Sequence, residues 1–367
     1  MTENYKQFVN DHKVFFDQNY DELATNYRTD FMIVSSNLQK LLPNIDPETH
    51  EEVFKKMLFE QLMAQSDITL PNITEHIALE GNTEPLYNAK QKPVIFCTYH
   101  LGSYRLLASL LTRLGISNAL VMSEEGIIDM GEEFITLNQN VRNHYKLDNT
   151  FEVISAEKPT SVLSMIRALK NNVSLLVYID GNKGAGEAES SLLSIPFLGD
   201  TILTRKGIAT VSSLANVAIQ PVTAERKDLY YNHLTFHEAI SQGENQPRQE
   251  YINSATQHLF KILSQELIVK PEQWEGWLYV HHFYQKKRVV KTPSFSSNTS
   301  TTFNANRYSI IAWQKEHFIF DRDTYFTYTI SAKVFKTFRQ KIPTKNIKKL
   351  IDHDTLSWFF LKRIIIF

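Results

Sequence analysis

A chain of 367 residues can bury a large core, and it predicts one large domain with something smaller beside it. Its 39 basic and 40 acidic residues leave a formal charge of -1, which argues against nucleic acid as a partner. The single cysteine, Cys97, excludes an internal disulfide and any metal site built from cysteines, and it fits a reducing cytosol.

The N-terminus, MTENYKQFVNDHKVFFDQNY, is polar and mixed in charge, unlike a signal peptide. No apolar run approaches the ~20 residues that span a bilayer. The expectation is a soluble cytoplasmic protein, or one peripheral on the inner face of the membrane. Residues 4–64 predict two or three helices, with Phe54, Met57, Leu58, Leu62 and Met63 at helical spacing and Pro47 near a helix start. An ordinary helical cap explains them best. Phe15, Phe16, Phe31 and Met32 are the residues that would cover an apolar ligand if the cap also gripped one.

From residue 73 to 222, apolar runs at 94–97, 119–122, 151–154, 175–179 and 217–222 alternate with helix-length segments at 103–114, 132–145, 160–170 and 204–215. Such alternation implies βαβ units and a largely parallel sheet. A strand at 233–236, a helix at 249–269 and an aromatic segment at 274–284 follow. Residues 292–306 are rich in Ser, Thr and Asn and predict a linker. Beyond them, short strands at 308–313, 317–320 and 325–330, a turn at 321–323, a helix at 332–340 and a basic stretch with Lys341, Lys345, Lys348 and Lys349 predict a small appendage. The expected fold is therefore α/β: a largely parallel central sheet with flanking helices at 73–290, a helical cap at 1–72, a linker at 291–306 and a small α+β appendage at 307–367.

Three stretches bear chemistry. Between the strand at 94–97 and the helix after it lies Tyr99-His100-Leu101-Gly102-Ser103, with Gly102 allowing close approach and Ser103 expected as N-cap. His100 thus falls at the carboxyl end of a strand, the ligand-binding edge of open α/β sheets; spacing alone slightly favours a simple strand-end residue. The second stretch runs from a buried strand into Asp180 and then Gly181, Gly184 and Gly186, a spacing that fits neither a P-loop nor a dinucleotide fingerprint. The third is Pro271-Glu272-Gln273-Trp274 through His281-His282, whose adjacent histidines point apart and make a poor metal pair. No G-x-S-x-G elbow is present, and Cys97 inside an apolar strand is a weak nucleophile.

In this order the three stretches resemble the bacterial lipid A late (lauroyl/myristoyl) acyltransferases of the lysophospholipid acyltransferase superfamily, over about residues 73–284. Residues 73–89 resemble the family's lead-in to its first core strand. His100-Leu101-Gly102 matches the start of the family's H-x4-acid motif, Asp180 and its glycines match a later loop, and Ile195-Pro196-Phe197-Leu198-Gly199 with Thr201 and Thr204 matches its P-F-F-G segment. The Pro271–Trp274 run resembles the family's P-E-Q-Y-L-W-L-H ending, with Glu275-Gly276 extra.

The resemblance implies transfer of a fatty acyl group from an acyl carrier protein or coenzyme A thioester to a hydroxyl or amine of a lipid or small-molecule acceptor, with no cofactor. It makes His100 the general base, Gly102 and Ser103 oxyanion donors, and Gly181, Lys183, Phe197 and Thr204 further substrate-binding candidates. The family acid position is Arg105, which would lower the His100 pKa. Asp180 is the first replacement carboxylate, with Glu124 and Glu125 behind it; Arg105 itself would grip a phosphate. The rivals are a degenerate acyltransferase fold that binds an acyl chain or peptide without turnover, and a tailoring enzyme of a peptide or natural-product pathway. The appendage faintly resembles the small winged-helix-type peptide-binding domains of peptide-modifying systems, and a packing extension of the core explains it as well. Its basic stretch is either a solvated face or an approach to anionic lipid or acyl carrier protein.

Overall fold

The computed structural model describes residues 3–70, 72–184, 191–284, 302–339 and 351–366. Gly186, most of the 291–306 stretch and the basic run at 341–349 lie outside them. Two compact units are present: residues 1–22 with 56–284, and residues 23–55 with 285–367. Helices α1 (Glu3–Asn26), α2 (Arg28–Leu41) and α3 (His50–Asp67) make up the N-terminal helical region. The division between the units falls inside α1 and inside α3.

The larger unit is built on strands β1 (Ile77–Gly81), β2 (Ile95–Thr98), β3 (Asn118–Met122), β4 (Phe151–Ser155), β5 (Ser174–Tyr178), β8 (Ile219–Lys227) and β9 (Tyr231–Phe236), in the order β1-β9-β8-β2-β5-β3-β4. Every pair in it is parallel except β8–β9. All residues of β2 and β3 are buried, as expected of central parallel strands covered on both faces. Phe96, Leu107, Leu111, Leu120, Leu176 and Val222 meet in the core beneath. Between β5 and β8, strands β6 (Leu192–Phe197) and β7 (Asp200–Arg205) form an antiparallel hairpin.

Helices α4 (Glu84–Asn88), α5 (Leu106–Arg113), α6 (Glu124–Tyr145), α7 (Ser161–Lys170), α8 (Gly207–Ala215) and α9 (Arg248–Val269) fill the connections. Two starts differ from expectation. Helix α6 begins eight residues earlier than its apolar pattern implied, because the Ser123 hydroxyl accepts the Gly126 N–H and caps it there. Helix α5 begins at Leu106, with Arg105 at the cap position making no side-chain cap bond. Ser103 is not its N-cap: Gly102 holds φ +53° and the loop continues past Ser103 before the helix starts.

The smaller unit carries strands β11 (Tyr308–Trp313), β12 (Glu316–Asp321) and β13 (Thr327–Ile330) in an antiparallel meander. Gln314 and Lys315, both at positive φ, make the first turn. Helices α10 (Ala332–Arg339) and α11 (His353–Leu361) bring Phe335, Phe338 and Phe359 against Tyr308 and Ile310. Strand β10 (Thr302–Phe303), placed in the linker by composition, pairs instead with β14 (Ile365–Ile366). From α2, the Gln39 amide accepts the Ile310 N–H and donates to the Ile310 carbonyl, both at 3.1 Å, which covers the open side of β11.

Candidate active site

Strands β2 and β5 pair in parallel with Thr98 opposite Tyr178. His100 and Asp180 each follow two residues later, so strand register delivers both side chains to the same edge. His100 Nδ1 lies 2.9 Å from Asp180 Oδ1, and the His100 backbone N–H donates to Asp180 Oδ2 at 3.0 Å. Trp274 Nε1 donates to the same Oδ2 at 2.7 Å. Asp180 is 1% exposed and thus faces three donors in a water-poor setting. A carboxylate only accepts, so Nδ1 carries the ring proton and Nε2 keeps its lone pair. Nε2 has no hydrogen-bond partner among the described residues, while the side chain is 21% exposed.

The Pro271–Trp274 run explains itself here. Gln273 donates from Nε2 to the Arg226 carbonyl and accepts the Arg226 N–H at Oε1, while its own carbonyl accepts the Gly102 N–H at 2.8 Å. Glu275 N–H then donates to the His100 carbonyl at 3.1 Å. The segment is thus laced to the His100 loop from outside the sheet. Gly102 cannot carry a side chain there: a Cβ would sit 2.7 Å from Gln273 Oε1 and 3.0 Å from the Ala224 carbonyl oxygen.

Aromatic rings enclose the imidazole. Tyr104 and Tyr178 each lie 5.0 Å from it between centroids, and the Tyr279 hydroxyl is 3.1 Å from Nδ1. Burial pulls the His100 pKa down, but the charge and hydrogen bond of Asp180, with Glu275 adding, outweigh it. The net direction is up. Arg105 does oppose this, as its charge requires, yet it does not lower the pKa on balance. A shallow recess at His100 is lined by Gly102, Tyr104, Gln273, Glu275 and, from α3, Met57, Glu60 and Gln61.

Several expected roles change. The Gly102 N–H is bound to Gln273 and is not free to meet an oxyanion. The Ser103 hydroxyl donates to Asn232 and accepts from Arg226, inside a buried cluster in which Arg226 also meets Asp67 (2.6 Å), Glu60 (3.1 Å) and the Tyr5 hydroxyl (3.2 Å). Gly181 borders the imidazole, where a Cβ would lie 3.5 Å from His100 Cε1. Lys183 is half-exposed and pairs with Glu125 at 3.8 Å. Glu124 accepts from Ser155, so both reserve carboxylates are engaged with other groups.

Phe197 is buried, with its ring 5.9 Å from that of Trp274 and 6.0 Å from that of Phe260. Thr204 bonds Asn182, whose side chain also accepts the Arg205 N–H; together they pin the loop after Asp180 to β7. Burial drives the Cys97 thiol pKa up, which removes it as a nucleophile. The His281 and His282 rings lie 4.0 Å apart, tilted by 41°, and burial lowers the His281 pKa to about 4. Tyr104, Tyr178, Tyr279 and Glu275 are site residues that sequence patterns did not single out, since aromatic residues read as core.

The fold thus sets a histidine–carboxylate pair at the carboxyl ends of two neighbouring parallel strands, the edge at which open α/β sheets bind ligands. The family model described as bacterial lipid A biosynthesis acyltransferase matches residues 32–286, more than half of the chain. The chain belongs to that family. The match begins well before residue 73, so it takes in most of α2 and all of α3 as well as the sheet. No curated protein matches the chain. Among the described residues no helix is long and apolar enough to cross a membrane.

Proposed function

We propose that the protein moves a fatty acyl group from an acyl thioester, carried by acyl carrier protein or coenzyme A, to a hydroxyl or amine on a lipid or lipid-like acceptor. The observation that carries this reading is the His100–Asp180 pair, which engages Nδ1 and leaves Nε2 without a hydrogen-bond partner among the described residues. The acceptor O–H or N–H gives its proton to Nε2 as the oxygen or nitrogen bonds to the thioester carbonyl carbon. The tetrahedral intermediate collapses, the C–S bond breaks, and the thiolate leaves with the proton returned by the imidazolium. Asp180 fixes the tautomer and stabilises the imidazolium between those two proton transfers. Acyl thioesters are cytosolic compounds, so the reading places the protein in the cytoplasm, at the inner membrane face when the acceptor is a lipid.

A radiolabelled acyl thioester incubated with a lipid extract tests it. Wild type should label an acceptor, and His100→Ala should lose about 10²-fold or more of the rate. Equal transfer by the two proteins would defeat the base assignment. Retention of the acyl chain without any transfer would instead favour a binding protein on this fold.

A further inference from the structure

Arg105 is only 6% exposed, yet it forms no ion pair with a carboxylate among the described residues. Its Nε donates to the Tyr104 hydroxyl at 3.2 Å, and Nη2 lies 3.6 Å from Met130 Sδ. The guanidinium also lies over the rings of Tyr104 and Phe134, 5.7 and 5.6 Å from their centroids. A buried cation without a counter-ion is costly, and two ring faces offset only part of that. The missing anion is one phenol away: the Tyr104 hydroxyl donates to Glu275 Oε1 at 3.1 Å. Glu275 is held at its other end by Gln61, which donates to Oε2 at 3.3 Å, and by its own N–H on the His100 carbonyl. Its side chain lines the recess with His100.

We propose that Arg105 is a positioning residue that works through Tyr104 to hold the Glu275 carboxylate beside His100, and that Glu275 is the second carboxylate of the site. Nε of the guanidinium is turned to the Tyr104 hydroxyl and Nη2 to Met130. Where Arg105 caps α5 in place of an acid, the carboxylate comes from the 3₁₀ turn Glu275–Leu278. Around the imidazole, Asp180 and Glu275 favour the protonated ring, Arg105 opposes it, and the phenols of Tyr104, Tyr178 and Tyr279 are neutral neighbours. Glu275 would thus stabilise the imidazolium formed as the acceptor loses its proton.

The inference rests on the acyltransferase reading only for its kinetic arm. Full-length protein with isotope-labelled histidine gives a second arm, the NMR titration of His100, which needs no turnover. Glu275→Gln keeps the shape and the Tyr104 contact, so it should fold, and a thermal melt checks that it does. It should move the His100 titration to lower pH and reduce kcat about tenfold with KM within about twofold. Tyr104→Phe should act in the same direction, and the double variant should be no worse than Glu275→Gln alone, because the two residues act as one unit. Arg105→Lys should keep more activity than Arg105→Glu, which sets two carboxylates on one phenol. An unmoved His100 titration in Glu275→Gln, additive losses in the double variant, or an Arg105→Glu protein as active as wild type would each overturn the proposal. Absence of transfer by wild type would overturn the acyltransferase reading, while the titration still decides the role of Glu275.

Discussion

Asp180→Asn separates geometry from charge at the centre of the site. The substitution keeps the shape of a side chain that is 1% exposed. The Asn oxygen can take the place of Oδ2, which receives the Trp274 indole at 2.7 Å and the His100 N–H at 3.0 Å. Its NH₂ must then face His100 Nδ1, where Oδ1 stood at 2.9 Å. Two donors cannot share one hydrogen bond, so the imidazole has to shift its proton to Nε2, and the base lone pair vanishes from the recess.

By analogy with the same change in serine protease triads, kcat should fall about 10³- to 10⁴-fold. Stability should change far less. One charge-assisted bond of about 1.5–3 kcal/mol is lost, and removal of a buried charge recovers part of it. The net cost should be about 1–2 kcal/mol, or a few degrees in Tm. Steady-state acyl transfer measured beside differential scanning calorimetry reads both quantities. If Asp180→Asn keeps more than about a tenth of kcat, the tautomer argument is wrong. If activity and Tm collapse together, Asp180 is a structural residue only.

Gly102→Ala should cost about 2 kcal/mol or more, read by denaturant unfolding, because φ is +53° and the new Cβ would meet Gln273 Oε1 at 2.7 Å. A neutral result would mean that the Gln273 lacing yields easily. Arg226→Ala should cost about 3–5 kcal/mol, since it leaves the buried Asp67 and the part-buried Glu60 without their cation, and Arg226→Lys should recover only part of it for lack of the fork. Equal stability of the lysine variant and wild type would show that the fork geometry is not needed.

His50 is fully buried with Nδ1 2.8 Å from the Ser35 hydroxyl, and burial lowers its pKa from 6.5 to about 4. The unfolded chain therefore takes a proton near 6.5 that the folded chain refuses until about 4. Stability is intact above the unfolded value and declines on acidification through that window, by on the order of 3 kcal/mol in all. Urea unfolding of wild type and His50→Gln at neutral and at acid pH isolates the effect: a slope that survives in the variant belongs to other groups.

Local patterns carried much of this protein in its sequence. The apolar runs that became β2, β3 and β5, the leucine face of α5 and the turn chemistry around Gly102 are set by residues within a few positions of one another, and period and composition report them. His100 and Asp180 were legible as candidates because each ends a buried strand, and the resemblance to lipid A acyltransferases supplied the chemistry for a histidine at that edge. What a linear pattern cannot report is which strand lies beside which. That β5 inserts next to β2, so that residues 80 apart share a hydrogen bond, depends on the packing of the whole sheet.

The same non-locality hid the partition into two units, where α2 and the strand β11 from opposite ends of the chain fasten through Gln39 and Ile310. It also hid the meaning of Arg105. As a letter in place of an acid it reads as a broken pair, one cation too close to a base. Only the fold places Tyr104 between that cation and Glu275, because burial forces a charged side chain to find its counter-charge wherever the chain has brought one near.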